Sequence, residues 1–257
     1  MKIFEVKNIS KSFGGVKAVH DCSFEIEERK ITALIGPNGA GKTTVFNIIN
    51  GFIAPDAGKV IFQGRDVTEA NAWKRSRLGM SRTFQLSRLF RNLSIAENLE
   101  LAIRQDDDLF WRMFFSAKGG SASGGKRQTA EFHDQIREVM NLVELDKDPK
   151  TPVTDLSYGQ QKLFDLARAL INPHTFLLLD EVVAGVNPVL REKLKSLMFK
   201  LTERGETILL IEHDMDFVHS VADHVIVMDQ GSVLTEGEPE KVLREKQVLE
   251  AYLGVAA

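Results

Sequence analysis

The segment that most constrains this chain is Gly36-Pro37-Asn38-Gly39-Ala40-Gly41-Lys42-Thr43-Thr44. It follows the apolar run Ile31–Ile35, which favours a strand, and it precedes residues 45–50, which favour a helix. Its glycines permit a tight turn in which successive backbone N–H groups point at a phosphate chain, and a following helix adds its positive N-terminal end. The order of strand, glycine-rich turn, Lys-Thr and helix therefore predicts a P-loop, and with it a bound nucleoside triphosphate.

Two side chains at the end of this loop have the chemistry that a triphosphate needs. Lys42 can reach the β- and γ-phosphates, and the Thr43 hydroxyl can complete a Mg²⁺ shell that otherwise consists of phosphate oxygens and water. A glycine-rich turn that arose by chance is the alternative, but it does not explain why strand, lysine and helix stand in this order. We therefore expect a nucleotide and a magnesium ion at this loop.

The composition is that of a globular protein. Of the 257 residues, 43% are apolar and 27% are charged, and no apolar run approaches the length that spans a bilayer. The single cysteine, Cys22, excludes an internal disulfide and agrees with a reducing compartment. The net charge of −3 gives no electrostatic attraction to nucleic acid. We expect a cytosolic protein without a nucleic-acid partner, which can still dock on a membrane complex.

Hydrophobic patterning predicts two kinds of strand. Residues 3–9 and 22–26 alternate apolar and polar side chains, as half-buried antiparallel strands do. The later runs Phe176–Asp180, Thr207–Ile211 and 225–229 are almost continuously apolar, which indicates parallel strands covered on both faces. Between the first two of these runs, leucines recur on one face of a helix that ends near Gly205. The pattern predicts an α/β sheet and an N-terminal antiparallel β-subdomain.

The middle third of the chain has no comparable strand run. Ser94 can cap a helix, with Glu97 completing a capping box, and residues 131–145 form a second amphipathic helix. We therefore predict a single domain over residues 1–257, with a helical subdomain inserted at residues 92–155. The rest of the domain, residues 1–91 and 156–257, forms the α/β core of a P-loop NTPase (RecA-like) together with the β-subdomain.

Four further motifs accompany the P-loop. In chain order they are Gln85 in Arg82-Thr83-Phe84-Gln85, the segment Leu156-Ser157-Tyr158-Gly159-Gln160-Gln161-Lys162, the strand end Asp180-Glu181, and His213 in Ile211-Glu212-His213-Asp214. In kind and order these motifs resemble those of the ATP-binding-cassette (ABC) ATPases, over nearly the whole length of the chain. The resemblance implies ATP and Mg²⁺ as cofactors, ATP hydrolysis as the activity, and Asn38 to Thr44 as nucleotide contacts.

The segment around Ser157 resembles the ABC signature, usually Leu-Ser-Gly-Gly-Gln. Its serine can cap the following helix, and together with Gly159 the helix N-terminus can form a second anion site. The resemblance implies that Ser157, Gly159 and Gln160 contact the γ-phosphate of the ATP held by the P-loop of an opposite subunit.

The resemblance also implies roles for the carboxylates and the histidine. Asp180 orients Mg²⁺ through water, and Glu181 acts as the general base or positions the water that attacks the γ-phosphorus. His213 hydrogen-bonds the γ-phosphate and helps to hold that water. Gln85 is a ligand of Mg²⁺ and water, and its loop moves together with the membrane transporter that such an ATPase serves. The aromatic face of Phe13 stacks on adenine.

Two positions depart from the family pattern. Val182 replaces the proline that usually follows the catalytic glutamate, which leaves the backbone after Glu181 less constrained. Asn187 stands where many members carry aspartate, so the position keeps its hydrogen-bonding capacity and loses its negative charge. The strength of the coupling between two subunits through the loop that contains Asn187 is therefore left open.

Several details resemble the ATPases of branched-chain amino acid importers. They are the Tyr-Gly-Gln-Gln signature, the Gly-x-Asn-Pro loop, the long helical insert and the Ala251-Tyr252-Leu253-Gly254 terminus. This resemblance implies a homodimer or a heterodimer with a paralogous ATPase, a membrane permease, and indirectly a periplasmic or extracellular solute-binding protein. It also implies a cytoplasmic, peripheral location on the inner face of the cell membrane. Residues 86–95, an apolar row with interleaved arginines, would then border the groove that receives a permease helix.

Other functions stay open at this point. The chain could serve a transporter of another small solute or of a lipid. A non-transport ABC ATPase acting on DNA or ribosomes is less consistent with the sequence. The sequence shows no long coiled coil and no second cassette, and its net charge is not positive. A module that senses ATP without hydrolysing it is disfavoured because Glu181 and His213 are both present.

Overall fold

The structure is a computed structural model that describes residues 1–83, 89–103 and 123–253, with the backbone alone over residues 123–131. The chain divides into two compact units, one formed by Met1–Gln85 with His174–Ala257 and the other by Leu86–Pro173. The second unit is longer than the helical subdomain predicted at residues 92–155, because the helix that begins at Tyr158 packs against other helices of that unit.

Every strand that the structure describes lies in the first unit. The strands are β1 Lys2–Phe13, β2 Val16–Glu27, β3 Ile31–Ile35, β4 Ala57–Phe62, β5 Arg65–Asp66, β6 Met80–Arg82, β7 Phe176–Asp180, β8 Thr207–Ile211, β9 His224–Asp229 and β10 Ser232–Gly237. They form a four-stranded sheet of order β2-β1-β4-β5 and a six-stranded sheet of order β10-β9-β3-β8-β7-β6.

The four-stranded sheet is the antiparallel subdomain that the alternating pattern predicted. Its central strand β1 pairs with β2 and with β4, so that Val6 lies opposite Phe24 on one side and Val60 on the other. All three side chains are buried. Apolar residues on alternate positions therefore cover one face of the sheet, while the polar positions between them stay accessible.

The six-stranded sheet has a parallel centre, as the continuous apolar runs predicted. β3 is parallel to β8 and to β9, β7 is parallel to β8, and every residue of β3, β7 and β8 is buried. The register places Ile211 beside Leu34 and beside Asp180. The carboxyl ends of β3, β8 and β7 consequently meet at one edge of the sheet, which is where ligands bind in such sheets.

The helices are shared between the two units. In chain order they are α1 Lys42–Ile49, α2 Ala72–Arg77, α3 Ile95–Ala102, α4 Ser123–Leu142, α5 Tyr158–Leu170, α6 Pro188–Glu203, α7 Met215–Val221, α8 Pro239–Val242 and α9 Lys246–Leu253. Of these, α3, α4 and α5 belong to the second unit. Within the described ranges, no helix has the length and apolar character needed to cross a membrane.

The second unit is helical in its described part. Ser94 caps α3, and the predicted capping box with Glu97 is present. α4 begins before the predicted position and ends at Leu142, while Val143 just beyond its end is still buried. α5 contacts both α3 and α4 and buries an apolar face made of Leu163, Phe164, Leu166, Ala167 and Leu170. The three helices thus share one core.

A buried arginine caps the C-terminal end of the helix that follows the P-loop. Only 1% of Arg75 is exposed, and its guanidinium donates hydrogen bonds to the carbonyl oxygens of Ile48 and Ile49, each at 2.6 Å, and to those of Ala70 and Thr68. The last carbonyl groups of a helix need such donors because they lack partners within the helix. Arg75 therefore fixes the far end of α1 against the segment that leads into α2.

Candidate functional site

The predicted P-loop leaves the end of β3 and is shaped by glycines that other residues cannot replace. A Cβ at Gly36 would lie 2.2 Å from the carbonyl oxygen of Met228, and one at Gly41 would lie 2.5 Å from that of Ala18. Gly41 also has a φ of +95°, a conformation that side chains with a Cβ rarely adopt. The loop is thus packed closely against β9 and β2, which holds its backbone in one shape.

The loop presents several groups that can bind an anion. α1 begins at Lys42, and its N-cap residue Gly41 supplies no side-chain cap, so its first-turn N–H groups are left to a ligand. The Lys42 ammonium is buried and donates hydrogen bonds to the carbonyl oxygens of Gly36 (2.8 Å) and Pro37 (2.9 Å). Burial lowers the pKa of Lys42, and the charge of Glu181 opposes that shift.

The C-terminal helix also reaches this loop. Burial raises the pKa of Tyr252 in α9 to about 12, and the backbone of Gly36 opposes that shift. Sequence reasoning used Tyr252 only as a family marker and missed this contact. A tyrosine near the end of a chain carries no pattern that would reveal it.

Asp180, the last residue of β7, has a cationic neighbour that the sequence reasoning also missed. Nη2 of Arg82 lies 3.3 Å from Oδ2 of Asp180, and Nη1 donates to Oδ1 of Asn47 in α1 at 2.8 Å. The guanidinium also lies 4.6 Å from the ring centroid of Phe46. Burial raises the pKa of Asp180, and the charge of Arg82 opposes that shift. Arg82 therefore joins the carboxylate to the P-loop helix.

The structure brings Glu181 and His213 together. Nε2 of His213 lies 3.2 Å from Oε1 of Glu181, although the two residues follow different strands. Glu181 has a φ of +49°, and its N–H donates to the carbonyl oxygen of Ile211 at 2.9 Å. A left-handed conformation is costly for such a residue, and it persists only where neighbouring groups enforce it. The predicted base and the histidine predicted to bind the γ-phosphate are thus a contacting pair at the edge of the sheet.

A second carboxyl lies behind this pair. Glu212 is only 2% exposed; its Oε1 accepts the Val183 N–H at 2.9 Å, and its Oε2 accepts the His213 N–H at 3.3 Å. Burial raises the pKa of Glu212 to about 7. Sequence reasoning passed over Glu212, and the signal that could have identified it is a charged residue placed directly after a buried strand.

The two departures from the family pattern have clear local surroundings. Val182 is buried, and the next backbone N–H, that of Val183, is held by Glu212. Asn187 caps α6, since its Oδ1 accepts the Leu190 N–H at 2.8 Å. An asparagine supplies this cap as well as an aspartate would, so its side chain keeps a structural role without the charge.

The signature-like segment lies in the second unit and is built as a helix N-terminus. Ser157 caps α5, with its Oγ accepting the Gln160 N–H at 3.4 Å. The side chain of Gln160 returns the contact, because its Oε1 accepts the Ser157 N–H at 3.0 Å. Gly159 lies in the first turn of the helix. The predicted cap at Ser157 is present, and the anion site with its contact to ATP stays a prediction.

Phe13 and Gln85 complete the predicted site residues. Phe13 ends β1 with 47% of its surface exposed, and the Lys11 ammonium lies 5.7 Å from its ring centroid. Its stacking on adenine stays a prediction. Gln85, with Phe84, lies outside the described residues, and its role as a metal and water ligand stays a prediction.

The residues at this edge of the first unit fit a phosphate chain with a magnesium ion. The loop supplies N–H donors, Lys42 a cation, Thr43 an exposed hydroxyl and Asp180 a carboxylate. Over residues 1–83, 89–103 and 123–253 there is no group of three or more His, Cys, Asp or Glu side chains that could hold a metal ion. In a magnesium site of P-loop type, phosphate and water provide most of the ligands.

A family described as ABC transporter matches residues 19–184 of the chain. The chain is 37% identical over 254 residues to the probable branched-chain amino acid transport ATP-binding protein LivG of Archaeoglobus fulgidus, covering 99% of this chain and 96% of the relative. It is 38% identical to the high-affinity branched-chain amino acid transport ATP-binding protein BraF of Pseudomonas aeruginosa, covering 99% and 98%.

Solved structures share the fold. A nucleotide-free ATP-binding cassette from an ABC transporter superposes with a TM-score of 0.82 at 29% identity, covering 98% of both chains. The ADP conformation of MJ1267, an ATP-binding cassette of an ABC transporter, gives a TM-score of 0.81 at 30% identity, covering 99% of both chains. The predicted fold class is thereby confirmed.

Proposed function

Because this chain belongs to the ABC transporter family and is an ATPase of that kind, we propose that it energises uptake of branched-chain or related amino acids through a membrane permease. The observation that carries its hydrolytic role is the pair Glu181–His213, 3.2 Å apart, at the sheet edge from which the P-loop also emerges. The amino-acid class is supported by relatives named as branched-chain amino acid transport ATP-binding proteins that match nearly the whole chain.

The roles of the residues follow from their chemistry. Glu181 accepts a proton from the attacking water or orients that water. His213 keeps the Glu181 carboxylate in place, and the imidazole ring of His213 also hydrogen-bonds the γ-phosphate. Thr43, Asp180 and Gln85 are the residues that would hold Mg²⁺, directly or through water. When bound, the ion would neutralise charge on the phosphate oxygens. Phe13 stacks on the adenine, which implies modest selectivity among bases.

We infer the dimer and its partners from the family to which the chain belongs. Two copies, or one copy and a paralogous ATPase, would close on two ATP molecules, each site made from the P-loop of one subunit and the Ser157 segment of the other. The dimer would lie on the inner face of the cell membrane beneath the permease, which receives its solute from an external binding protein.

One surface residue, Phe90, supports the proposed permease contact. Phe90 is 56% exposed, yet its N–H donates to Oδ1 of Asn98 at 3.0 Å. The buried amide of Asn98 in turn donates to the carbonyl oxygens of Phe90, Leu93 and Ser94. An exposed aromatic side chain on a fixed backbone suits an interface anchor because little conformational freedom is lost on binding. Leu86 and Arg88, predicted to belong to the same surface, lie outside the described residues.

The function is tested by reconstitution. The protein is purified from native membranes with its associated subunits and inserted into liposomes, and ATP-dependent uptake of leucine, isoleucine and valine is compared with uptake of glutamine and urea. We expect uptake of the branched-chain amino acids, abolished in a complex that carries Lys42→Ala. Preferential uptake of a different solute would show the proposed solute class to be wrong. Co-purification with ribosomes or DNA in place of a permease would overturn the transport role.

A further inference from the structure

Glu212 is the buried carboxyl at this sheet edge to which no predicted role belongs. It follows β8 directly, and its two oxygen atoms accept hydrogen bonds from two separate backbone segments. Burying a carboxylate is costly unless it is hydrogen-bonded, and Glu212 meets that condition with two backbone donors. An apolar residue here would leave both N–H groups without this acceptor, so the function of the carboxylate depends on what the two contacts hold in place.

Both hydrogen bonds of Glu212 hold backbone at or near the contacting pair Glu181 and His213. The N–H of Val183, 2.9 Å from Oε1, lies two positions beyond Glu181, and the N–H bonded to Oε2 belongs to His213 itself. One carboxylate thus holds the backbone on both sides of the contact between Nε2 of His213 and Oε1 of Glu181. A displacement of either backbone segment would change that contact directly.

The segment after Glu181 needs such support. Glu181 has the left-handed φ of +49°, and the residue after it is Val182, which has no ring to restrict its own backbone. Two bonds to the end of β8 fasten this turn: the Glu181 N–H donates to the carbonyl oxygen of Ile211 at 2.9 Å, and the Val183 N–H donates to Glu212. The second bond supplies restraint that a proline ring would otherwise contribute.

We propose that Glu212 is a positioning residue for ATP hydrolysis, whose ionised carboxylate holds Glu181 and His213 in the geometry that activates water. This inference rests on the roles proposed above for those two residues. It predicts a loss of turnover without a loss of nucleotide affinity when the carboxylate is removed, because Glu212 touches neither the P-loop nor Phe13 in any contact described above.

The surroundings of Glu212 make its charge sensitive to pH. The charges facing it are those of Glu181 and Asp214, which raise its pKa further after burial, while its two N–H donors lower it. Asp214 is itself paired with the guanidinium of Arg191 from α6, at 2.7 Å for each oxygen. With a pKa of about 7, Glu212 is ionised above neutral pH and protonated below it. A protonated carboxyl keeps one good acceptor, so one of the two backbone bonds weakens as the pH falls.

The test is Glu212→Gln, compared with Glu206→Gln. Glu206 directly precedes β8 and pairs with His174 at 2.6 Å, so the control makes the same chemical change at the other end of the same strand. For Glu212→Gln we expect kcat to fall about tenfold to a hundredfold near pH 8, with ATP affinity within about twofold of wild type. The ratio of wild-type to variant kcat should shrink near about pH 6, where wild-type Glu212 is also neutral. The control should keep the wild-type kcat and pH profile.

Three results would overturn the inference. They are an unchanged kcat in Glu212→Gln, a loss of the same size at every pH, and a loss that follows the thermal unfolding midpoint, each of which indicates packing alone. If Glu212→Gln fails to fold, Glu212→Asp keeps the charge on a shorter side chain. That variant should lose turnover and keep the acid-side decline, and a wild-type kcat would contradict the proposal.

A parallel Glu181→Gln measurement separates this inference from the proposed function. Turnover retained in Glu181→Gln would remove the base role on which the inference rests. An inactive Glu181→Gln together with a fully active Glu212→Gln would leave that role intact and refute only the positioning role of Glu212.

Discussion

At the scale of single residues, three carboxyl groups at one sheet edge are kept in three different environments. Asp180 is buried beside Arg82, Glu181 contacts His213, and Glu212 is buried on backbone N–H groups. Burial raises the pKa of both Asp180 and Glu212. Neighbouring carboxylates repel one another, and separate partners reduce that repulsion. The proposed roles in metal binding, water activation and positioning thus fall to groups with different surroundings.

Replacing Glu181 with Gln should separate nucleotide binding from hydrolysis. We expect ATP binding to persist while turnover falls at least about a hundredfold, because a general base contributes that much and an amide cannot accept the proton. The loss of a negative charge near the γ-phosphate should also favour a closed, ATP-bound dimer. Phosphate release and size-exclusion chromatography with ATP measure the two effects, and turnover close to wild type would remove Glu181 from its role.

At the scale of helices and strands, the ends of elements determine what each can bind. α1 has no side-chain cap at its start, whereas Arg75 satisfies the carbonyl groups at its end. α5 begins with a complete capping box at Ser157, and α6 begins with Asn187 as its cap. No side chain caps the start of α1, so its first N–H groups can turn to an anion held by the glycine-rich loop.

Arg75→Leu should lower the free energy of unfolding by about 3–5 kcal/mol, because several buried carbonyl groups lose their charged donor at once. The matched control is Lys74→Leu on the same helix, where the side chain is exposed. Urea denaturation monitored by tryptophan fluorescence and circular dichroism measures both variants. A difference between them of less than about 1 kcal/mol would show that water replaces the guanidinium without cost.

Phe90→Ala tests the permease surface. We expect weaker docking to the permease and slower transport, while the basal ATPase of the purified subunit stays within about twofold of wild type. Leu101→Ala is the control, because Leu101 is a comparably exposed apolar residue on α3 of the same unit. If Phe90→Ala reduces ATPase activity and stability equally and docking of the surviving protein is normal, the side chain serves packing instead.

At the scale of the whole molecule, the parts of the predicted active site are divided between two units of the chain. Lys42, Asp180, Glu181 and His213 belong to the first unit, and Ser157 belongs to the second. A site assembled from both kinds of part in two subunits would make hydrolysis depend on dimer closure. Such a requirement would couple ATP binding to a large rearrangement, through which an ATPase can do work on a membrane partner.

Mixing two inactive variants tests this arrangement. Lys42→Ala removes the P-loop cation, and Ser157→Arg blocks the signature segment, so each variant alone should be inactive. A mixed dimer contains one site with both parts intact, and we expect it to regain up to about half of the wild-type activity. Activity is measured after native mass spectrometry has established that mixed dimers form. Mixed dimers without ATPase activity would disprove the shared site.

Much of the site was predictable from sequence because its motifs are local. The P-loop, the capping box at Ser94, the serine cap at Ser157 and the apolar runs of β7 and β8 depend on residues a few positions apart, so their chemistry and periodicity are visible in one dimension. The α/β fold class followed from those runs. The start of α4 was predicted less well, since helix boundaries depend on the surrounding packing.

The sequence by itself therefore indicated the local motifs and the residues proposed to carry the chemistry, and the tertiary structure decided which of them meet. The strand order places β7 beside β8, which brings Glu181 to His213 and sets Glu212 behind both. The partnership of Arg82 with Asp180 spans 98 positions of the chain. Periodicity reports that a side chain is buried, but the identity of its partner depends on the pairing and register of distant strands, which no local pattern encodes.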